Sequence, residues 1–168
     1  IISSQKADIR TGTVKIENKK LESISFPRAN YGTINQAATT LKKAMLVHQS
    51  TLYVFVKSKS SAADQIYYDI EDKALSVTDN PVEGDYMFWD ISNRDVSYRA
   101  QKSNGYYLYQ FLIKIKYFTT LEQRSLVDDK VNQIIEELGF TSETTDYEKV
   151  KAVYDYVCKH VTYAKSLD

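Results

Sequence analysis

The stretch that most constrains this sequence is Val96–Phe118, where two alternating runs flank Asn104-Gly105. Both central positions of a two-residue type I′ turn need positive φ, and Asn-Gly supplies them at the lowest steric cost. In the second run Tyr107, Tyr109, Phe111, Ile113, Ile115 and Tyr117 recur at a period of two, so they share one face of a strand. That face is expected to enter a core. The opposite face, Tyr106 to Phe118 at even numbers, mixes apolar residues with Gln110, Lys114 and Lys116. Tyr86–Ile91 carries the same β-favouring residues, and Ser92-Asn93-Arg94-Asp95 reads as a turn. The expectation is a three-stranded antiparallel meander over Tyr86–Ile91, Val96–Gln101 and Tyr106–Phe118.

Helices frame this sheet. Ile34, Ala37, Ala38, Leu41 and Met45 lie on one helical face behind Thr33, a candidate N-cap, and predict a helix over Ile34–His48. Thr51–Lys57 is nearly all apolar and predicts a strand covered on both faces. Ile66, Tyr67, Ile70 and Leu75 give a second helix over Ala62–Leu75, with Ser60 or Ser61 as its cap and a break at Thr78–Pro81. Thr120 with Gln123 and Thr145 with Glu148 have the spacing of capping boxes. They open two further helices, Leu121–Leu138, followed by Gly139 at C′, and a last one striped by Val150, Val153, Tyr154, Val157 and Val161. Residues 1–30 suggest only a short strand near Val14 and Ile16 and then a loop. The fold class is therefore α+β, an antiparallel β-meander packed with about four α-helices.

Charge removes several functions. Lys+Arg and Asp+Glu number 22 each, so no basic face announces nucleic acid. No Lys/Arg cluster marks a membrane surface. No run approaches the roughly 20 apolar residues of a membrane span. Cys158 is the only cysteine, which rules out an internal disulfide framework.

The residues that carry chemistry do not assemble. Cys158 falls late in the last helix, away from the N-terminal end that favours a thiolate. His160 is two residues on, about 200° around the helix, so the side chains cannot face each other. Cys158 reads as a small apolar residue at the edge of a core helix. His48 reads as a cation at a helix C-terminus. The acidic loop Asp79–Asp85 has Pro81 where a calcium loop needs an oxygen ligand. Neither a metal nor a cofactor is expected, and no residue qualifies as catalytic. One binding surface stands out, an aromatic platform for sugar or peptide made by Tyr86, Trp89, Tyr98 and Tyr106, beside Tyr107 and Tyr109. Cross-strand packing inside the fold is the competing reading of the same residues.

A resemblance emerges at the C-terminal end. Asp146-Tyr147-Glu148-Lys149-Val150 through Tyr154-Asp155-Tyr156-Val157, running on to Val161-Thr162-Tyr163, resembles the helix that opens bacterial transglutaminase-like domains, "D-Y-x-K-V-x-x-I-H-D-Y-I". Asp79-Asn80-Pro81 followed by Tyr86-Met87-Phe88-Trp89 is similar to a "D-x-P-E-x-F-W" segment that precedes such domains. The likeness covers about residues 40–168, and Tyr154 departs from it where the family carries histidine. The family's Cys-His-Asp triad lies beyond this helix, its cysteine in a "G-x-x-x-C-x-G-x-A"-like motif. That motif is missing here and Cys158 does not match it, so no catalytic residue carries over.

The resemblance implies a division at residue 140. Residues 1–140 would form an N-terminal α+β module, and residues 141–168 the first helix and strand start of a transglutaminase-like core cut short before its catalytic motifs. The chain would be a non-catalytic accessory module whose main partner is the rest of its parent polypeptide. That parent would be a secreted or cell-surface cysteine enzyme acting on protein or cell-wall peptide. The apolar face at 145–163, left uncovered by the cut, implies a tendency to form homodimers. The alternative is a self-sufficient cell-surface binding module that uses the tyrosine-rich sheet.

Overall fold

The structure, a computed structural model, describes residues 15–18 and 29–162. Its strands are β1 (Lys15–Asn18), β2 (Thr51–Ser58), β3 (Ile91–Ser103) and β4 (Tyr106–Tyr117). Its helices are α1 (Ile34–Leu46), α2 (Ala63–Ala74), α3 (Asp85–Asp90), α4 (Leu121–Leu138) and α5 (Asp146–His160). The protein is α+β, as the sequence implies. The expected loop over residues 19–28 lies outside the described residues.

The hairpin forms where the alternation places it. Asn104 and Gly105 adopt φ of 49° and 76°, and β3 pairs with β4 from Ser103↔Tyr106 back to Ile91↔Tyr117. Tyr109, Phe111, Ile113 and Ile115 are buried, which makes the odd-numbered face the core face. The four strands take the order β1-β3-β4-β2, with β1 parallel to β3 and the other pairs antiparallel.

The third antiparallel strand is β2 rather than Tyr86–Ile91. Tyr86–Asp90 instead belongs to α3, and Ser92–Asp95 is part of β3 and makes no turn. Gly84 sets this up at φ 62°, ψ −120°, a conformation open to glycine alone, where an added Cβ would lie 3.1 Å from the Val77 Cα. The chain leaves that residue already turned into a helix, and β-propensity gives way to tertiary context. A bulge between Ile91 and Asn93 then resets the phase, so that Ile91, Arg94 and Val96 all point inward.

α1 and α2 supply the layer over the sheet. Thr33 caps α1 through a capping box with Gln36. Ala37, Ala38, Leu41, Ala44 and Met45 join Ile66, Tyr67 and Ile70 of α2 in one core with the inner face of the sheet. Each fully buried aliphatic side chain of this kind contributes about 1.5–3 kcal/mol. β2 is covered on one face only: Leu52, Val54 and Val56 are buried, while Thr51, Tyr53 and Lys57 are exposed. No serine caps α2 directly. Ser60 Oγ accepts from the Ala62 amide, and the Ser60 carbonyl accepts from the Tyr109 hydroxyl at 2.9 Å.

The chain divides into two compact units, Ile1–Leu121 and Glu122–Asp168. The boundary expected at residue 140 therefore falls inside the second unit, and α4 groups with α5. In the second unit Gly139 ends α4 at φ 64°, and Thr145 caps α5 by a capping box with Glu148. Hydrogen bonds from Thr145 hold the Glu148 carboxyl below its ordinary range. α4 buries only Arg124, and α5 buries no residue. Val127, Val131 and Ile135 of α4 and Val150, Val153, Tyr154 and Val157 of α5 are exposed.

Candidate functional site

The four residues proposed for an aromatic platform do not share a surface. Tyr86 and Trp89 lie on α3, next to the start of β3. Tyr106 lies past its far end, opposite Ser103. The 13 residues of β3 separate these ends by about 40 Å at roughly 3.3 Å per residue. Tyr98 packs against Tyr109 and Phe111 with centroids 6.2 and 5.9 Å away, on the core side of β3. Trp89, 60% exposed, meets only Phe88 edge-on among the described ring pairs. Tyr106 sits beneath the Lys57 ammonium, 4.2 Å from the ring centroid. Cross-strand packing accounts for Tyr98, Tyr107 and Tyr109, and a single ligand cannot span all four.

The structure gathers a polar cluster that periodicity does not reveal. His48 follows α1 at φ 51°, a left-handed conformation that is uncommon for a residue with a side chain. Its Nε2 lies 2.8 Å from Asp90 Oδ2, with both side chains under a tenth exposed. Neither atom has a partner with hydrogen-bond geometry among the described residues. The other Asp90 oxygen accepts from the Thr119 amide at 3.1 Å and the Thr119 hydroxyl at 2.7 Å. The His48 ring stacks on Tyr117 at 4.2 Å. Burial and the Asp90 charge push the Tyr117 hydroxyl up to about 12. This cluster ties the ends of α1, α3 and β4 together. Its contacts join residues 27 to 69 positions apart, and only tertiary structure brings them together.

A second buried cluster joins Glu71, Arg94 and Tyr67. Arg94 Nε lies 3.2 Å from Glu71 Oε1, and the Tyr67 hydroxyl donates to the same oxygen at 3.0 Å. Burial first, and then the Glu71 charge, raise the Tyr67 hydroxyl well above its ordinary value. The guanidinium also lies over the Phe88 ring, 5.7 Å from its centroid. This arrangement links α2 to β3 inside the core.

The remaining candidates are quickly placed. Cys158 is exposed and is not the core-edge residue expected of it. His160 stacks on Tyr156 at 4.3 Å, one helical turn back and away from Cys158. In the acidic loop, Glu83 pairs with Lys42 at 2.8 Å and accepts from Thr78 at 3.0 Å. Those bonds, Lys42 first, hold its carboxyl below the usual range. Among the described residues no group of three or more His, Cys, Asp or Glu is placed to hold a metal ion. No helix there is long and apolar enough to cross a membrane.

One open depression adjoins the outer edge of the sheet. It encloses about 300 Å³ between the first turns of α1 and the strand β2, and Gln36, Ala37, Thr40, Tyr53 and Phe55 line it. Tyr31 meets Phe55 edge-on at 5.6 Å, and Tyr53 stacks with Phe55 at 6.5 Å. Tyr53 and Phe55 lie on the face of β2 opposite the core. Against known proteins, no family model matches this chain, and neither a curated protein nor a solved structure matches it.

Proposed function

We propose that this chain is a non-catalytic accessory module of a longer, transglutaminase-like protein, and that α5 opens that protein's next core. One observation carries the reading. α5 has a complete capping box and an amphipathic stripe, yet it buries none of its residues. A helix of 15 residues is marginal in water by itself, and most helical stability comes from packing such a stripe. Burying each valine of the stripe contributes about 1.5 kcal/mol or more. The occupant we assign to the stripe is the rest of the parent polypeptide. The residues that resemble the family's opening helix, Asp146 to Val157, are those that carry the stripe. On this reading the parent is a secreted or cell-surface cysteine enzyme acting on protein or cell-wall peptide. The chain alone would pair through α5 as a substitute.

The test begins with the gene, read past Asp168, and continues with hydrogen exchange on α5 in the short and extended proteins. A Cys-His-Asp set downstream, with Val153 and Val157 amides slowed only in the extended protein, supports the proposal. A reading frame that ends at Asp168, an extension without those residues, or α5 exchange that the extension leaves unchanged would sink it.

A further inference from the structure

We infer that the outer edge of β2, beside Tyr53, is a docking site for one extended, uncharged peptide segment of another polypeptide, which joins the sheet as a short added strand. The inference stands apart from the accessory-module reading, since neither α5 nor any residue past Asp168 takes part.

Among the described residues the order β1-β3-β4-β2 leaves one side of β2 without a strand. On that side Gly32 makes an isolated parallel bridge to Val56. The Gly32 amide donates to the Phe55 carbonyl at 3.1 Å, and the Lys57 amide donates to the Gly32 carbonyl at 3.0 Å. These two bonds fix which peptide groups face outward. The N–H and C=O of one residue point to the same side of a strand and alternate along it, so Tyr53, like Phe55 and Lys57, directs its groups away from β4. The Thr51 carbonyl is closed by Gln49 Nε2 at 2.8 Å. A continued parallel ladder would next use Asn30 against the Tyr53 carbonyl and the Phe55 amide. Among the described residues neither bond forms. Among the described residues the Tyr53 N–H, the Tyr53 C=O and the Phe55 N–H therefore remain as an open edge, the template that strand addition uses.

The depression described above opens at this point. Among the described residues no charged side chain lines it, so a charged occupant would lose its hydration there without gaining a counter-ion from them. An uncharged segment meets no such cost. Its backbone continues the ladder that Gly32 begins. Its side chains alternate between the pocket bounded by Ala37 and Thr40 and the rings of exposed Tyr53 and half-buried Phe55. Tyr53 is 53% exposed, so its ring is available to a partner.

The probe is an acetylated and amidated seven-residue peptide alternating threonine and valine, titrated into the isotopically labelled full chain and followed by amide NMR. Saturable shifts confined to residues 30–40 and 51–57, with slower exchange at the Tyr53 and Phe55 amides, are the expected result. Tyr53→Pro removes one outward donor at an edge position, where proline is tolerated, and is expected to weaken binding about tenfold. Tyr53→Phe keeps the backbone and the ring and is expected to bind like the parent. Thr40→Arg, at an exposed helix position, puts a charge into the pocket and is expected to weaken binding at least as much. The inference is overturned by the absence of shifts at millimolar peptide, by shifts centred elsewhere, or by full affinity in Tyr53→Pro. Should Tyr53→Pro fail to fold by circular dichroism, full affinity in Thr40→Arg overturns it equally.

Discussion

Arg94→Leu is expected to be among the most damaging substitutions in the first unit. Arg94 and Glu71 are 4% and 2% exposed, and their side chains meet at 3.2 Å. Removing the guanidinium leaves a carboxylate in the core without its cation, which costs about 3–5 kcal/mol. For a unit of this size that lowers the melting temperature by about 10–25 °C. The same reasoning makes a less obvious claim about the double variant Glu71→Leu/Arg94→Leu, because a buried ion pair replaced by apolar residues is often neutral. What the double variant leaves behind is the Tyr67 hydroxyl, which donates to Glu71 at 3.0 Å and is fully buried. An orphaned hydroxyl costs about 1–3 kcal/mol. Adding Tyr67→Phe is therefore expected to bring the triple variant within about 1 kcal/mol of the parent. Urea unfolding followed by the fluorescence of Trp89, the single tryptophan, reports on this unit without a signal from α5. Two results would refute the reasoning: an Arg94→Leu cost below about 1 kcal/mol, or a double variant as unstable as the sum of its single variants.

Gly105→Ala is expected to cost about 1 kcal/mol, since Gly105 holds φ +76° and an added Cβ would meet nothing within 4 Å; equilibrium unfolding measures it. Thr145→Ala removes the cap accepted from the Glu148 amide, and it is expected to lower the stability of α5 by about 1 kcal/mol, read as lost helical circular dichroism. The same change is expected to return the Glu148 carboxyl toward its ordinary value, since Thr145 supplies the bonds that depress it; side-chain NMR titration reads this. Tyr117 has a folded value of about 12 against an ordinary 10.0. Its neutral form is favoured by folding, so its contribution is complete below pH 10 and is lost as pH rises toward 12. Tyr117→Phe is expected to flatten the alkaline loss of stability over that window.

Local signals carried much of the secondary structure. Thr33, Thr145 and Gly139 mark helix ends by chemistry that acts over three or four residues, and each is used as that chemistry demands. Asn104-Gly105 fixes the hairpin and hence the face of β4 that is buried. The reading failed where a distant contact outweighs a local preference. Tyr86–Asp90 has strand-like composition but follows the glycine-only turn at Gly84, with Met87 buried and Asp90 drawn to Thr119. Ser92–Asp95 looks like a turn, but β4 supplies ladder partners for Asn93, Arg94 and Asp95, and Ser92 sits in the bulge. The aromatic platform failed with the strand that was to carry Tyr86 and Trp89.

The sequence by itself determined the α+β class, the hairpin and its buried face, the starts of α1 and α5, and the neutral charge balance, because each depends on period, composition or a cap a few residues away. Only the tertiary structure decided that β2 lies at the edge of the sheet, paired with β4. It alone decided that His48 reaches Asp90 and that Arg94 is buried against Glu71. These contacts join residues 23 to 63 positions apart, where alternation and capping carry no information about which face meets which.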